Sequence, residues 1–526
     1  MATKMPDPKK APKTTPVPAA PVPASVKVAA KPAPPPSSPA ATPIAPPSKK
    51  SPAAAAGDFR IEKDSMGEVR VPANRLYGAQ TQRAVDNFKV SGRRMPARFL
   101  TALAGIKCAS AQANAELGLL DGKLARAISD AATEVAQGKH PDEFPIDVFQ
   151  TGSGTSTNMN MNEVVSNLAN RALGSPVGSK RPVHPNDHVN MGQSSNDVIP
   201  TALHVSVALA AKDRLVPALA SLADALREKA KAFDGIVKVG RTHLQDATPV
   251  RMGQVFGGYA AQVAHAAQRI ALAWDGLLEV ALGGTAVGTG IGRDPEFHEK
   301  AIAGLSERTG LPLRKARNAF EALAGREACV FFGGALSAAA AALSKVANDV
   351  RFLGSGPRCG YGELKLPELQ PGSSIMPGKV NPVMSESLIM ACMMVQGHAT
   401  TVALAGGAGN FELNVTLPLL AMTLLDAVEI LAGAVEGFTE RCVRGLTVDE
   451  PRIASMVEQS LMLATALAPA IGYDAAAGLA KEAYKQGTTI RALAESKKLL
   501  PPDRLKEALD LRHMTEPGRG TGAAGG

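Results

Sequence analysis

An all-α fold with a long central helical bundle is the class this sequence predicts, and three observations predict it. Ala, Leu and Val recur at helical spacing through residues 202–233, 253–282, 318–352, 384–404 and 417–443. Several of these stretches approach or exceed 25 residues, against about 11–12 for a usual helix. Strand signals are few and short, Glu68–Val71 being the clearest. The helices are Ala-rich and apolar on most faces, so each needs neighbours on several sides. An extended bundle that associates with copies of itself supplies them.

Taken along the chain, the first element is not helical. Residues 1–57 hold eight Lys, no Arg and one acid, Asp7, which is +7 of the formal net charge of +9. They also hold 16 of the 39 prolines. A segment with so few large apolar residues buries too little surface to offset the entropy of ordering, so it reads as a disordered, extended tail. It has neither the apolar run of a secretory signal nor the Arg content of a transit peptide. The remaining 469 residues are only +2, so the basic pI says nothing about nucleic acid in the folded part. Aromatic content of 4% argues against stacking platforms. Five scattered Cys with no C-x-x-C suit reduced, mostly buried thiols and a cytoplasmic location.

From Phe59 the chain reads as a short extended segment, a turn and a helix start, followed by the long helices. Ser387–Phe411 contains no charged residue and is long enough to span a bilayer. Its Gln396, His398, Thr400 and Thr401 favour instead a buried helix of a soluble bundle with no membrane partner. The Ala-rich run 328–344 fits the same close packing. Gly518–Gly526 reads as a disordered end.

Four polar clusters interrupt the helices, each richer than a plain turn requires. Thr151–Asn158 (TGSGTSTN) opens a helix with hydroxyls and free N–H groups, an anion-binding arrangement. Residues 181–197 (RPVHPNDHVNMGQSSND) offer Arg181 and His184 to an anion, then caps and donors before the helix from Ala202. Residues 240–249 (GRTHLQDATP) place His243 among hydroxyl and amide groups before a long helix, as a general acid/base candidate. Residues 371–382 (PGSSIMPGKVNP) form a loop bracketed by Gly and Pro that is free to open and close. There Lys379 and Asn381 can hold a carboxylate and the hydroxyls can move a proton. The ligand these clusters suit is a small polyanion, a dicarboxylate above all. The Gly-rich 283–290 lacks the strand and Lys-Ser/Thr of a phosphate loop. No zinc, Fe–S or Gly-x-Ser-x-Gly pattern occurs, so neither metal nor cofactor is implied.

Residues 372–382 (GSSIMPGKVNP) resemble the signature of the fumarase/aspartase superfamily. The other clusters match in order and approximate spacing, as does Gly409–Val415 (GNFELNV), and the resemblance runs from about Phe59 to His513. It implies a three-domain subunit, with regions 58–194, 195–447 and 448–517, in a helical-core homotetramer whose active sites are each shared among three subunits. Residues 152–158, 193–197, 377–379 and 409–414 are most similar to the metal-independent class II fumarases; His188 is more familiar from aspartase. Aspartate ammonia-lyase is the same-class alternative, and a non-catalytic scaffold protein the different-class one.

The resemblance also implies roles. Ser373 removes the substrate's C3 proton, giving an aci-carboxylate dianion. His243, paired with Glu386, handles the water at C2. Ser153, Gly154, Thr155, Ser194, Ser195, Asn196, Thr242, Ser374, Lys379, Val380 and Asn381 form the substrate site. Arg181, His184, Pro185, Asn186 and Asp187 match a second dicarboxylate site. Glu163 reads as structural.

Overall fold

Within residues 59–517, which the computed structural model describes, seventeen α-helices carry the fold and ten short strands pair only two by two. The expected disordered segments 1–57 and 518–526 lie outside the described residues. β1 (Phe59–Asp64) and β2 (Gly67–Pro72) form an antiparallel hairpin. Then come α1 (Ala79–Asn87), α2 (Ala97–Glu116), α3 (Gly122–Ala136) and α4 (Thr155–Ala172). The N-terminus of α1 has no side-chain cap of its own. Glu163 of α4 replaces it, accepting the N–H groups of Gly78, Gln80 and Thr81 at 2.8, 2.9 and 3.1 Å.

The bundle begins with α5 (Ser195–Ala210), a π-helical turn (Ala211–Leu215) and α6 (Val216–Ala232), one continuous helical run. Pro217 has no N–H for the preceding turn, and the wider turn absorbs that gap. Next are β3 (Val237–Thr242), β4 (Gln245–Arg251), α7 (Met252–Trp274), β5 (Glu279–Val280), α8 (Phe297–Thr309), β6 (Arg314–Lys315), α9 (Ala319–Ala324) and α10 (Glu327–Leu353). β7 (Leu364–Lys365), α11 (Val383–Gly406), β8 (Gly409–Asn410), β9 (Leu413–Asn414), α12 (Leu417–Phe438) and β10 (Thr447–Val448) complete it. Five short helices close the described chain: α13 (Glu450–Gln459), α14 (Ala468–Ile471), α15 (Tyr473–Gln486), α16 (Ile490–Ser496) and α17 (Pro502–Ala508).

The expected long helices are present, with different ends. The 253–282 stretch stops at Trp274 and passes through a 3-10 turn into β5. The 318–352 stretch breaks at Gly325, which is extended (φ −79°, ψ 146°). The 240–249 segment, expected as a polar cluster before a long helix, lies on the β3–β4 hairpin that leads into α7.

α7, α10, α11, α12 and α6 pack side by side around one apolar core that also takes in α2 to α5. Burying each of Leu420, Leu424, Leu425 and Leu431 of α12 contributes about 1.5–3 kcal/mol. A second, smaller core gathers Leu463, Leu467, Leu479, Ile490, Leu493 and Leu505, with Val239 of β3 against it.

By length and composition α10, α11 and α12 could each cross a membrane, yet they pack on one another. The 387–411 stretch is buried on one face only. Leu388, Ile389, Cys392 and Val395 turn inward, while Met390, Met393, Met394 and Leu404 are 54–74% exposed. Within the single chain, the expected buried helix of a self-associating bundle is covered on its inner face alone, because the outer face has no neighbour there.

Candidate active site

The polar clusters gather at the two ends of the bundle. At the first end, Gly154 caps α4 in the left-handed region (φ 72°), and Ser153 Oγ lies 2.8 Å from Thr155 Oγ1. This cluster seats against the 409–415 segment. Leu417 N–H donates to Gly152 O at 2.9 Å, and a Cβ on Gly152 would overlap the Val415 carbonyl. Beside it, Ser194 caps α5 in a capping box: Asn196 N–H donates to Ser194 Oγ at 3.2 Å and Ser194 N–H to Asp197 Oδ1 at 2.9 Å. The hydroxyl proton of Ser194 is thereby left for an outside acceptor. Asn158 Nδ2 reaches Ser195 Oγ at 3.2 Å and joins the two clusters. Two adjacent helix N-termini with hydroxyls and an amide make a cradle suited to carboxylate oxygens.

The Gly-rich 283–290 supports that cradle from below. Gly283 and Thr285 donate their N–H groups to Asp197 Oδ2 at 3.0 and 2.9 Å, and Ala286 O accepts Asn196 Nδ2 at 2.8 Å. Gly283 and Gly288 sit at φ 94° and 105°, where a Cβ is disfavoured. Burial pushes the Asp197 carboxyl up to about 6, against the lowering effect of those N–H groups. The glycines thus cradle a protein carboxylate rather than a phosphate, a role sequence reasoning missed.

At the other end, β3 and β4 pair through Thr242↔Gln245, so His243 and Leu244 form the two-residue turn. Both have positive φ, 55° and 61°, as a twisted hairpin turn requires. The hairpin is anchored from behind. Arg241 Nη1 donates to Glu363 Oε1 at 2.6 Å, Lys238 Nζ lies 3.2 Å from Glu363 Oε2, and the Arg241 guanidinium stacks 4.3 Å from the Tyr361 ring centroid. Glu363 is wholly buried. Burial lowers the Lys238 ammonium, while Glu363 pulls it back up. Thr242 and His243 are exposed.

Glu363 also belongs to the segment beside the Ser373 loop. That loop closes on itself: Gly372 N–H donates to Lys379 O and Asn381 Nδ2 to Gly372 O, both at 2.8 Å. Inside it, the N–H groups of Ile375 and Met376 donate to Ser373 Oγ at 3.3 and 3.1 Å. A cavity of about 540 Å³ lies between Gly378–Pro382 and the Arg351–Glu368 stretch. Ser374, Lys379 and Val380 are exposed, as is Glu386 in the first turn of α11.

The structure does not bring all predicted residues together within one chain. The Ser373 loop precedes α11 and the 409–415 segment follows it; its 24 residues span about 36 Å. Ser194 and the His243 turn are likewise separated by the helical run Ser195–Ala232, about 55 Å long. His243 and Glu386, expected as a pair, do not meet in the chain: one tops a hairpin, the other faces outward on a helix.

The Arg181–Asp187 segment forms a local unit. Pro185–Val189 is a π-turn, His184 Nδ1 accepts from Asn186 and Asp187 N–H at 3.3 and 3.2 Å, and Arg181 is exposed. Burial lowers the His184 imidazole, opposed by Asp187.

Residues 67–397 match the lyase family profile and residues 463–516 that of the fumarase C C-terminus. The chain is 56% identical to a class II fumarate hydratase of Methylorubrum extorquens, over 82% of this chain and 92% of that one. It is 50% identical to one of Nitrosomonas europaea, over 87% and 99%.

The chain belongs to the class II fumarate hydratase family.

The fold agrees with that of a family member of known structure. The class II fumarase of Schistosoma mansoni superposes with a TM-score of 0.84 at 41% identity, covering 88% of this chain and all of that one. The helical architecture inferred from apolar periodicity is therefore the class II fumarate hydratase fold.

Proposed function

We propose that the chain is a metal-independent fumarate hydratase that interconverts fumarate and (S)-malate in the tricarboxylic acid cycle of the cytoplasm. The observation that carries this reading is the Ser373 loop, where two backbone N–H groups converge on one serine oxygen. The C3 proton of malate is weakly acidic, and a serine takes it only if its alkoxide is stabilised. Preorganised donors of this kind are worth several kcal/mol to a developing negative charge. Ser373 takes the C3 proton, and the electron pair moves into the adjoining carboxylate, which Lys379 and the free N–H of Asn381 grip. His243 protonates the departing C2 hydroxyl, which leaves as water while the pair held on the carboxylate returns to form the C2–C3 double bond of fumarate. Thr155, Ser194, Ser195, Asn196 and Thr242 hold the substrate's carboxylates and hydroxyl, with Ser153, Gly154, Ser374 and Val380 around them. Arg181–Asp187 is the second dicarboxylate site of this reading, and regions 58–194, 195–447 and 448–517 are its three domains.

Because α11 separates Ser373 from the α4 and α5 cradle, a complete site joins unlike ends of different chains. The uncovered apolar face of α11 supports a homotetramer with each site shared among three subunits, where His243 and Glu386 pair across the interface.

The test is turnover of fumarate, followed by loss of its conjugated ultraviolet absorbance, without added metal or ammonium. Ser373→Ala and His243→Asn each lower kcat by about 10²–10⁴ while the oligomer stays intact by size-exclusion chromatography. Activity that required ammonium would instead make the chain an aspartate ammonia-lyase.

A further inference from the structure

Beneath the α5 cradle lies a charged side chain that the mechanism above does not use. Lys107, on α2, is wholly buried. Its Nζ donates to two side-chain amide oxygens, Asn190 Oδ1 at 2.9 Å and Gln193 Oε1 at 3.0 Å. Asn190 Oδ1 also accepts from Asn158 Nδ2 and Asn162 Nδ2, at 3.2 Å each. Asn190 Nδ2 donates to Gln193 O at 3.2 Å. Asn158 Nδ2 donates on to Ser195 Oγ at 3.2 Å. A continuous chain of hydrogen bonds therefore runs from a buried cation to one hydroxyl of the proposed substrate cradle.

The direction of that chain is set at its root. Both groups that Lys107 faces are amide oxygens, which only accept, so its Nζ donates to each whether charged or neutral. Asn190 must turn its oxygen to Lys107 and its NH₂ to the Gln193 carbonyl. Asn158 must then turn its NH₂ towards the Asn190 oxygen, and the same NH₂ reaches Ser195. With a donor arriving at its oxygen, the Ser195 hydroxyl has its single proton left for another acceptor. Without Lys107, Asn190 is held only by the longer bonds to the Gln193 carbonyl and from Asn162, and a flip of both amides becomes less costly. Asn158 would then offer its oxygen, Ser195 would donate inward, and its lone pairs would face and repel a carboxylate. Burying a charge is costly unless its hydrogen bonds are met. An apolar side chain could fill the same volume but would leave the chain without a direction.

We propose that Lys107 is a positioning residue for dicarboxylate recognition, fixing the Asn190–Asn158–Ser195 chain so that the Ser195 hydroxyl donates to the substrate carboxylate. The proposal rests on reading the α5 N-terminus as part of the fumarate site. Asp197 complements it from the other side, as the carboxylate whose charge acts on Lys107 and whose oxygens hold Ser194, Gly283 and Thr285.

The experiment is steady-state kinetics with fumarate on the full-length oligomer. Lys107→Met raises KM about tenfold or more, the scale of a lost hydrogen bond to a charged group, with kcat within about threefold. In a Ser195→Ala background the same substitution raises KM by less than about twofold, because its target is already gone. An equal rise in both backgrounds, or a fall in kcat with KM unchanged, overturns the proposal. Asn158→Asp leaves both partners of Lys107, Asn190 and Gln193, in place but turns the Ser195 proton inward, and raises KM similarly. Should Lys107→Met fail to fold, this variant decides, and an unchanged KM in it overturns the proposal. Wild-type turnover tests the activity itself: a silent wild type overturns both readings, whereas an active wild type with unaffected variants overturns only this one.

Discussion

At the scale of single residues, Lys107 also carries a measurable effect on stability. Burial brings its ammonium down to about 7 from 10.5, against the pull of Asp197. Between those values the unfolded chain binds more protons than the folded one, so this group's contribution to stability rises with pH across that window. Urea unfolding at pH 7 and pH 9.5 should show a rise in wild type that is smaller in Lys107→Met. Nothing in the sequence announces this lysine, because one Lys in an Ala-rich helix reads as a solvated face. His243 was legible, since an imidazole among Thr, Gln and Asp is unusual. Its backbone was not: a His-Leu turn at positive φ replaces the Asn-Gly pair that would have marked a hairpin. Non-glycine residues in that region store strain that the surrounding structure must hold. Here the Arg241–Glu363–Lys238 cluster behind the turn holds it.

Among elements, the contact between the α4 N-terminus and the segment leading into α12 is the tightest junction of the first cradle. Gly152→Ala would push a methyl group into the Val415 carbonyl. Overpacking of this kind costs about 1–3 kcal/mol, so the melting temperature falls and KM for fumarate rises, as calorimetry and kinetics would show. The cradle's composition was readable from Thr151–Asn158 and Ser194–Asn196, because hydroxyls and amides before an apolar run mark helix starts. Its floor was not. Residues 283–290 were weighed only as a phosphate loop, whereas their N–H groups meet a carboxylate 88 residues away in sequence. Periodicity located the long helices but misplaced their ends: Gly325 is extended and breaks one run, and the 275–278 turn is held by Arg314, which donates to the Asp275 carbonyl, a tertiary contact that a local pattern does not contain. It also left open which face of 387–411 the single chain covers, since apolar composition does not say which neighbour covers which face.

For the molecule as a whole, the two ends of the bundle make an assembly prediction. Ser373→Ala and Ser195→Ala disable opposite ends of a chain. If each site joins unlike ends of different chains, a randomly mixed oligomer of the two variants carries about one quarter intact sites. Co-refolding the two variants in equal amounts, assayed at fumarate well below the raised KM of Ser195→Ala, should then give about that fraction of wild-type activity, whereas sites complete within one chain would give only the mean of the two parent variants. Of the formal charge of +9, +7 belongs to another part of the chain, its first 57 residues; the cations near the cradles are few and placed singly. The length of α11 thereby acquires a meaning beyond packing. On the proposed assembly it works as a ruler, holding two half-sites a set distance and rotation apart. Removing one residue from its middle would shorten it by about 1.5 Å and turn everything beyond by about 100°. Every site in the assembly would lose registration at once, including those whose chemical groups were untouched. On that reading the residue count of α11 is constrained by the reaction as well as by packing.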